Sequence, residues 1–210
     1  QLLQTNKGVT MKRMLIILSL ASCMFAGEMG LKAYGGLVMA NVAFGEEMCD
    51  EGCTQGMKPG ASFGVQYTKL PVMLGLGMSM RGTTMTYEFG DEELVMTMAL
   101  NYLDITALYP YPVGPGVAFA GLDIGMLLSA TASSDAEGSE DVDLTEDDGT
   151  NSLDYGIMLG YTYPINDDMS VSLGYYMGLG DVTGDYGLDE DPSADKNTGL
   201  FVNMGYSLPF

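Results

Sequence analysis

The sequence has no histidine, and that absence decides much of what its 28 carboxylates can do. Without an imidazole there is no Ser-His-Asp triad, and the three cysteines have no histidine base to make a thiolate. Paired carboxylates are plentiful, but most stand in long polar stretches where nothing shapes a pocket. The chain therefore reads as non-enzymatic. The acids that remain interesting are few. Arg81, Asp123 and Asp104 lie inside otherwise uncharged segments, and buried charges are expensive unless paired. They are predicted to form an internal ion pair or network, structural in role. "TEDDGTNSLD" and "DVTGDYGLDED" carry Asp and Gly at spacings that hint at calcium, with Asp143, Glu146, Asp147, Asp148, Asp189 and Asp191 as candidate ligands. Neither matches the full calcium-loop pattern with its distal Glu, and a solvated, repulsive face is the simpler reading. No other cofactor is implied. Cys49 and Cys53, in "CDEGC", are spaced for a local disulfide outside the cytoplasm. A zinc site there would need two more ligands that a histidine-free chain hardly offers.

The elements that must position these residues show in a period-two rhythm. The last segment, "GLFVNMGYSLPF", sets Leu200, Val202, Met204, Tyr206, Leu208 and Phe210 on one side. Gly199, Phe201, Asn203, Gly205 and Ser207 fall on the other. The same alternation recurs in "MSVSLGYYMGLG" and "DYGIMLGYTYP". In "VAFAGLDIGMLLSA" it sets Leu122, Ile124 and Leu128 against Phe119, Gly121, Asp123 and Gly125. In "VMLGLGMSMRGTTMTYE" it sets Leu74, Leu76, Met78 and Met80 against Gly75, Gly77, Ser79 and Arg81. "LVMTMALNYLDITALY" places Leu94, Met96, Met98, Leu100 and Tyr102 on the apolar side. Asp104 then has the wrong parity, so a bulge near Tyr102–Leu103 or a position at the rim is expected. "ASFGVQYT" and the less regular "LKAYGGLVMANV" bring the segments to eight.

The connectors alternate as well. Lys69-Leu70-Pro71, "PYPVGPG" (110–116) and "PINDD" (164–168) are short and turn-like. Residues 44–60, 89–93, 133–152 and 182–197 are longer or more acidic. Opposite kinds of connector at opposite strand ends are what an up-and-down meander produces.

One stripe of each segment is Leu, Met, Val, Ile and Tyr; the other is mostly Gly, Ser, Thr, Asn and Ala. A soluble barrel would need Lys and Glu on its outer stripe, and the strands carry almost none. Segments of about twelve residues exceed the roughly 9–11 that a tilted strand needs to cross a bilayer. Closure would satisfy every backbone amide, as hydrocarbon demands. The fold class is therefore all-β: an eight-stranded antiparallel up-and-down transmembrane β-barrel. Its apolar stripes face lipid, and its acidic loops face outward from the cell. Tyr67, Tyr87, Tyr102, Tyr109, Tyr111, Tyr161, Tyr163 and Tyr206 are candidates for interfacial girdles. A net charge of −20 argues against nucleic acid as a partner.

Before the strands, Met11-Lys12-Arg13 and "MLIILSLASCMF" have the basic start and short apolar run of a secretory signal. Residues 1–27 are read as upstream residues and a signal-peptide helix, and 28–210 as the barrel domain. Leu20-Ala21-Ser22-Cys23 resembles a lipobox, so cleavage near residue 27 and lipidation at Cys23 both stand.

Several segments resemble, in order, the PorT-like family of small outer-membrane β-barrels. They are "GLKAYGGLVMANV", "NYLDITALYPYP", "AGLDIGMLLSAT" and "DYGIMLGYTYPIND". Thr106 stands where that family often has Pro, and Asp104 where it has Glu. The resemblance implies an eight-stranded barrel in the bacterial outer membrane of a Gram-negative cell, without implying a role in secretion. A terminal aromatic strand (Tyr206, Leu208, Phe210) resembles the signal read by the barrel-insertion machinery. Three functions follow as expectations: a structural or surface-interaction barrel with an unidentified extracellular partner, a narrow channel or transport-assisting barrel, and a soluble ligand-binding barrel.

Overall fold

A computed structural model describes residues 30–43, 53–69, 71–89, 92–136, 139–145, 150–182 and 195–209. The expected signal-peptide helix lies outside these residues. Among them the chain forms nine strands, all paired antiparallel. They are β1 (Leu31–Ala43), β2 (Cys53–Tyr67), β3 (Met73–Phe89), β4 (Glu92–Val113), β5 (Gly116–Ser134), β6 (Val142–Asp143), β7 (Leu153–Pro164), β8 (Met169–Gly178) and β9 (Lys196–Ser207). β6 has only two residues and lies beside the end of β5.

The pairings run from β1 through β2, β3, β4, β5, β7, β8 and β9 and return to β1. The return joins Lys32 to Ser207 at one end and Ala43 to Lys196 at the other. Each of the eight longer strands therefore has a hydrogen-bonded neighbour on both sides, which satisfies backbone groups within the sheet along the paired registers. At one end the connections are tight. Gly114 takes φ 57°, the left-handed first position that a two-residue hairpin requires, between Val113 and Gly116. β2 begins at Cys53, so residues 53–60, expected in a loop, are strand. Pro59 is accommodated because the β2–β3 register shifts between Met57 and Ser62, and a bulge tolerates a missing N–H.

Alternation separates two surfaces. Leu122 (58% exposed), Leu173, Leu200, Val202, Met204 and Tyr206 stand on the outside. The inside is not lined only by small and polar groups. Val38, Ala40, Met73, Leu108, Phe119 and Phe201 form one buried apolar cluster toward the short turns. Val42, Met98, Leu100, Tyr102, Ala130 and Val182 form a second toward the long connections.

On β4 the expected parity is reversed in its middle. Leu100 and Tyr102, expected on the lipid side, are fully buried, and Asp104, Thr106 and Leu108 continue the same inward stripe. Asp104 therefore needs no bulge in β4. The irregularity is on the partner strand. Asn101 pairs with Ser129 and Tyr102 with Leu127, which leaves Leu128 as an extra residue in β5. Below it Phe119, Asp123 and Gly125 point inward; above it Ala130 does. Tyr102 likewise leaves the expected girdle. Tyr109, Tyr111, Tyr163 and Tyr206 are exposed near the short-turn end, as an interfacial belt requires.

Candidate functional site

Between the two apolar clusters lies a layer of charge. Arg81 comes from β3, Asp104 from β4, Asp123 from β5 and Asp154 from β7. Each sits at an inward position of its strand, and each is less than 7% exposed. Arg81 Nη2 donates to Asp104 Oδ1 and to Asp123 Oδ2, both at 2.7 Å. Its Nη1 donates to Asp154 Oδ2 at 3.0 Å, and its Nε to Ser79 Oγ at 2.9 Å. The guanidinium is also held between two aromatic rings, its Cζ 4.1 Å from the centre of Tyr176 and 4.9 Å from that of Tyr102.

Asp154 Oδ2 is the most heavily used acceptor. The Tyr176 hydroxyl and Asn197 Nδ2 each donate to it at 2.9 Å, and Asn197 Nδ2 also reaches the Tyr102 hydroxyl at 3.2 Å. The planar fork of arginine suits this work, since it serves several carboxylates at fixed angles where a lysine would act as a point charge. Glycines on neighbouring strands make room. A Cβ on Gly125, which pairs with Asp104, would lie 3.1 Å from Asp104 Oδ1 and from the Tyr102 ring. A Cβ on Gly156, which pairs with Asp123, would lie 2.7 Å from the Tyr176 ring.

Three carboxylates face one guanidinium. Asp123 Oδ1, Asp154 Oδ1 and Asn197 Oδ1 are buried with no hydrogen-bond partner. On the short-turn side the layer closes a cavity of about 290 Å³. Asp123, Asp104 and Arg81 line one end of it, and Phe119, Phe201, Leu108 and Met73 line its walls. Lys32, Gln66, Thr68 and Pro110, all part-exposed, line the other end. Lys32 Nζ donates to Ser170 Oγ at 3.0 Å.

The structure thus brings together Arg81, Asp104 and Asp123. It adds Asp154, Tyr176 and Asn197, which sequence reasoning did not single out, and Tyr102, which it placed in the girdle. Asp154 shares the parity of Gly156 in its strand, and that signal was available. The other expected residues lie elsewhere. Asp143 is exposed on β6, where the Thr145 hydroxyl and then its backbone N–H (2.8 Å) hold the carboxyl below its ordinary range. Glu146, Asp147, Asp148, Asp189 and Asp191 lie outside the described residues. Among the described residues no group of three or more Cys, Asp or Glu is placed to hold a metal ion. Cys53 is disulfide-bonded, and its expected partner Cys49 lies outside the described residues. Tyr206 is on the outer wall, Leu208 donates its N–H to the Leu31 carbonyl at 2.9 Å, and Phe210 lies outside the described residues.

An antiparallel sheet with an oily outside and ionic groups held within defines the class of small barrels that live in membranes. The chain belongs to the outer membrane protein beta-barrel domain family, whose model matches residues 25–184. Among solved structures it is similar to Neisserial surface protein A, at 14% identity and TM-score 0.57, covering 87% of this chain and all of that one. It also matches Ail, the attachment invasion locus protein of Yersinia pestis, at 13% identity and TM-score 0.46, covering 87% of this chain and all of that one. OprG from Pseudomonas aeruginosa matches at 12% identity and TM-score 0.46, covering 88% of this chain and 99% of that one. No curated protein matches the sequence. The protein is an outer-membrane β-barrel protein, and its surroundings are the lipid bilayer of the bacterial outer membrane.

Proposed function

We propose that the eight longer strands form a closed up-and-down transmembrane barrel that acts as a non-enzymatic structural or surface-interaction protein. It presents acidic loops to the outside of a Gram-negative cell. The observation that carries this reading is the filling of the bore. Val42, Leu100, Tyr102 and Ala130, each at most 1% exposed, occupy the half nearer the long connections. The Arg81 layer lies directly beneath them. Eight-stranded barrels have interiors that side chains fill, and a bore packed in this way suits display better than transport. The four PorT-like segments support a place in that branch of the family. The basic start and apolar run over residues 1–27 support export by a signal peptide, with 28–210 as the inserted domain. Insertion machinery reading Tyr206, Leu208 and Phe210 fits the same picture.

The cavity on the short-turn side favours a second reading, a narrow channel or transport-assisting barrel. Conductance separates the two. The refolded protein, inserted into planar bilayers, is expected to give no stable single-channel steps. Reproducible steps would overturn the first reading in favour of the second. A heat-dependent shift in gel mobility, with the unheated form migrating as a compact barrel, tests closure independently.

A further inference from the structure

The cavity changes sign along its length. At the short-turn rim Lys32 of β1 reaches across to β8, where its Nζ donates to Ser170 Oγ at 3.0 Å. Its stem crosses Gly205 of β9, where a Cβ would lie 2.8 Å from the Lys32 Cδ. An ammonium has three N–H donors, and the bond to Ser170 uses one. Among the described residues no carboxylate pairs with Lys32. A half-buried cation without a counter-ion is costly, and an anion brought to it recovers that cost. Lys32 is part-exposed and lines the cavity mouth, where an entering group meets it. Gln66 pairs with Lys32 across β1 and β2, lines the same mouth, and brings an amide donor.

Inward of this rim the walls are apolar. Phe119 and Phe201 stack with ring centres 6.4 Å apart, and Met73 and Leu108 complete a sleeve. The far end carries the opposite sign. Arg81 donates from all three of its nitrogens, to Ser79, Asp104, Asp123 and Asp154, so three carboxylates share one guanidinium and none of its nitrogens lacks a protein partner. An anion is therefore attracted at the mouth and repelled at the floor. An inorganic anion would gain from Lys32 and nothing from the sleeve. The volume, about 290 Å³, is near the lower edge of small-molecule pockets, about 300 Å³.

We propose that this cavity binds a small organic monocarboxylate with a compact apolar body. It enters from the short-turn side, which the barrel reading makes periplasmic. Its carboxylate accepts from Lys32 Nζ at the mouth, and its body packs along Met73, Leu108, Phe119 and Phe201. The acidic floor rejects a second carboxylate at the far end of the same body. The proposal rests on the closed-barrel reading, and the two fail differently: an open sheet loses the heat-modifiable gel shift, whereas an absent site leaves that shift intact.

The test uses the full barrel domain refolded in detergent micelles, with sodium hydrocinnamate as the probe. Hydrocinnamyl alcohol is its neutral counterpart, and para-carboxyhydrocinnamate carries the second carboxylate. Saturable shifts of the Lys32, Met73 and Phe201 side-chain resonances are expected with hydrocinnamate, and both counterparts are expected to bind at least about tenfold more weakly. Lys32→Gln keeps a donor but removes the charge, and should weaken hydrocinnamate about tenfold. Val117→Trp fills the cavity from its wall, leaves Lys32 in place, and should abolish binding. Heat-modifiable mobility shows whether each variant folds, and the comparison of the three ligands on the unaltered chain decides the matter if neither does. No saturable shift with hydrocinnamate, equal affinity for either counterpart, the same shifts produced by sodium chloride alone, or full binding by folded Lys32→Gln or Val117→Trp would overturn the proposal.

Discussion

The two halves of the bore are built from similar residues and end up unlike. Toward the long connections, Leu100, Tyr102, Val42 and Ala130 leave essentially no exposed surface. Toward the short turns, Leu108, Phe119, Phe201 and Met73 are just as apolar but surround a cavity. The extra residue in β5, Leu128, marks the boundary. It turns the inward stripe from the odd positions of Phe119, Asp123 and Gly125 to the even position of Ala130. A single inserted residue thus lets one strand serve two differently packed layers, with the Arg81 network as the partition between them.

The partition is where the largest effect is expected. Arg81→Met leaves Asp104, Asp123 and Asp154 without their shared cation. Breaking one buried ion pair costs about 3–5 kcal/mol, and three carboxylates lose their partner here. That is a large part of an ordinary stability of about 5–15 kcal/mol. Refolding into lipid vesicles, followed by gel mobility, should show little or no folded Arg81→Met, and Arg81→Lys should recover only part. Normal refolding of Arg81→Met would mean the halves do not depend on the charge layer.

Next comes a matched pair. Leu100→Ala and Leu108→Ala remove the same atoms from opposite halves. Buried Leu→Ala costs about 2–5 kcal/mol, and the spread follows the size of the void left behind. Leu100→Ala opens a new void in packed surroundings and belongs near the upper end of that range. Leu108→Ala enlarges an existing space whose near side already lacks packing partners, and belongs near the lower end. Urea midpoints in vesicles compare them directly. Equal costs would erase the distinction between the halves.

A smaller effect is expected from Gly125→Ala. Its Cβ would lie 3.1 Å from both Asp104 Oδ1 and the Tyr102 ring, tighter than ordinary contact. Tyr102 belongs to the packed half and cannot retreat, so an overpacking cost of about 1–3 kcal/mol is expected in the same assay. No change would show that the upper packing has slack.

How far the sequence reveals these layers depends on contrast between the two faces of a strand. In β5 below Leu128, Leu122 and Ile124 alternate with Asp123 and Gly125, and the stripe is legible. The same holds for Leu200, Val202 and Met204 against Gly199 and Gly205. In β4 the contrast fails. Leu100 and Tyr102 are apolar yet face inward, because the upper bore is itself apolar and hydrophobicity does not tell one oily environment from another. Residues 53–60 are illegible for another reason: Gly56, Pro59 and Gly60 read as a turn, and only the β2–β3 register shift makes Pro59 tolerable in a strand. For the site, uncharged surroundings pointed to Arg81 and Asp123. Asp154, at the start of its strand beside the acidic stretch, was hidden among loop acids, although its parity matches Gly156. Asn197 pairs with Val42 across β1 and β9, a contact between the two ends of the domain that no local pattern encodes.

The smallest effect belongs to β6, the short strand that extends the packed half past the rim. Thr145 accepts the Ala130 N–H at 2.8 Å, and its hydroxyl and backbone N–H hold the Asp143 carboxyl below its ordinary range. A lowered carboxyl pKa means the turn is tightest above the ordinary carboxylate value of about 3.9. That support is lost as pH falls through the value in the folded protein. Because Asp143 is fully exposed, the expected readout is local rather than global. Its carboxyl resonance should titrate below that of a free aspartate, and Thr145→Val should move it upward toward the ordinary value. Over the same pH range the midpoint of global unfolding should show no step attributable to Asp143. A titration indifferent to Thr145→Val would detach β6 from Ala130 and confine the packed half to the eight longer strands.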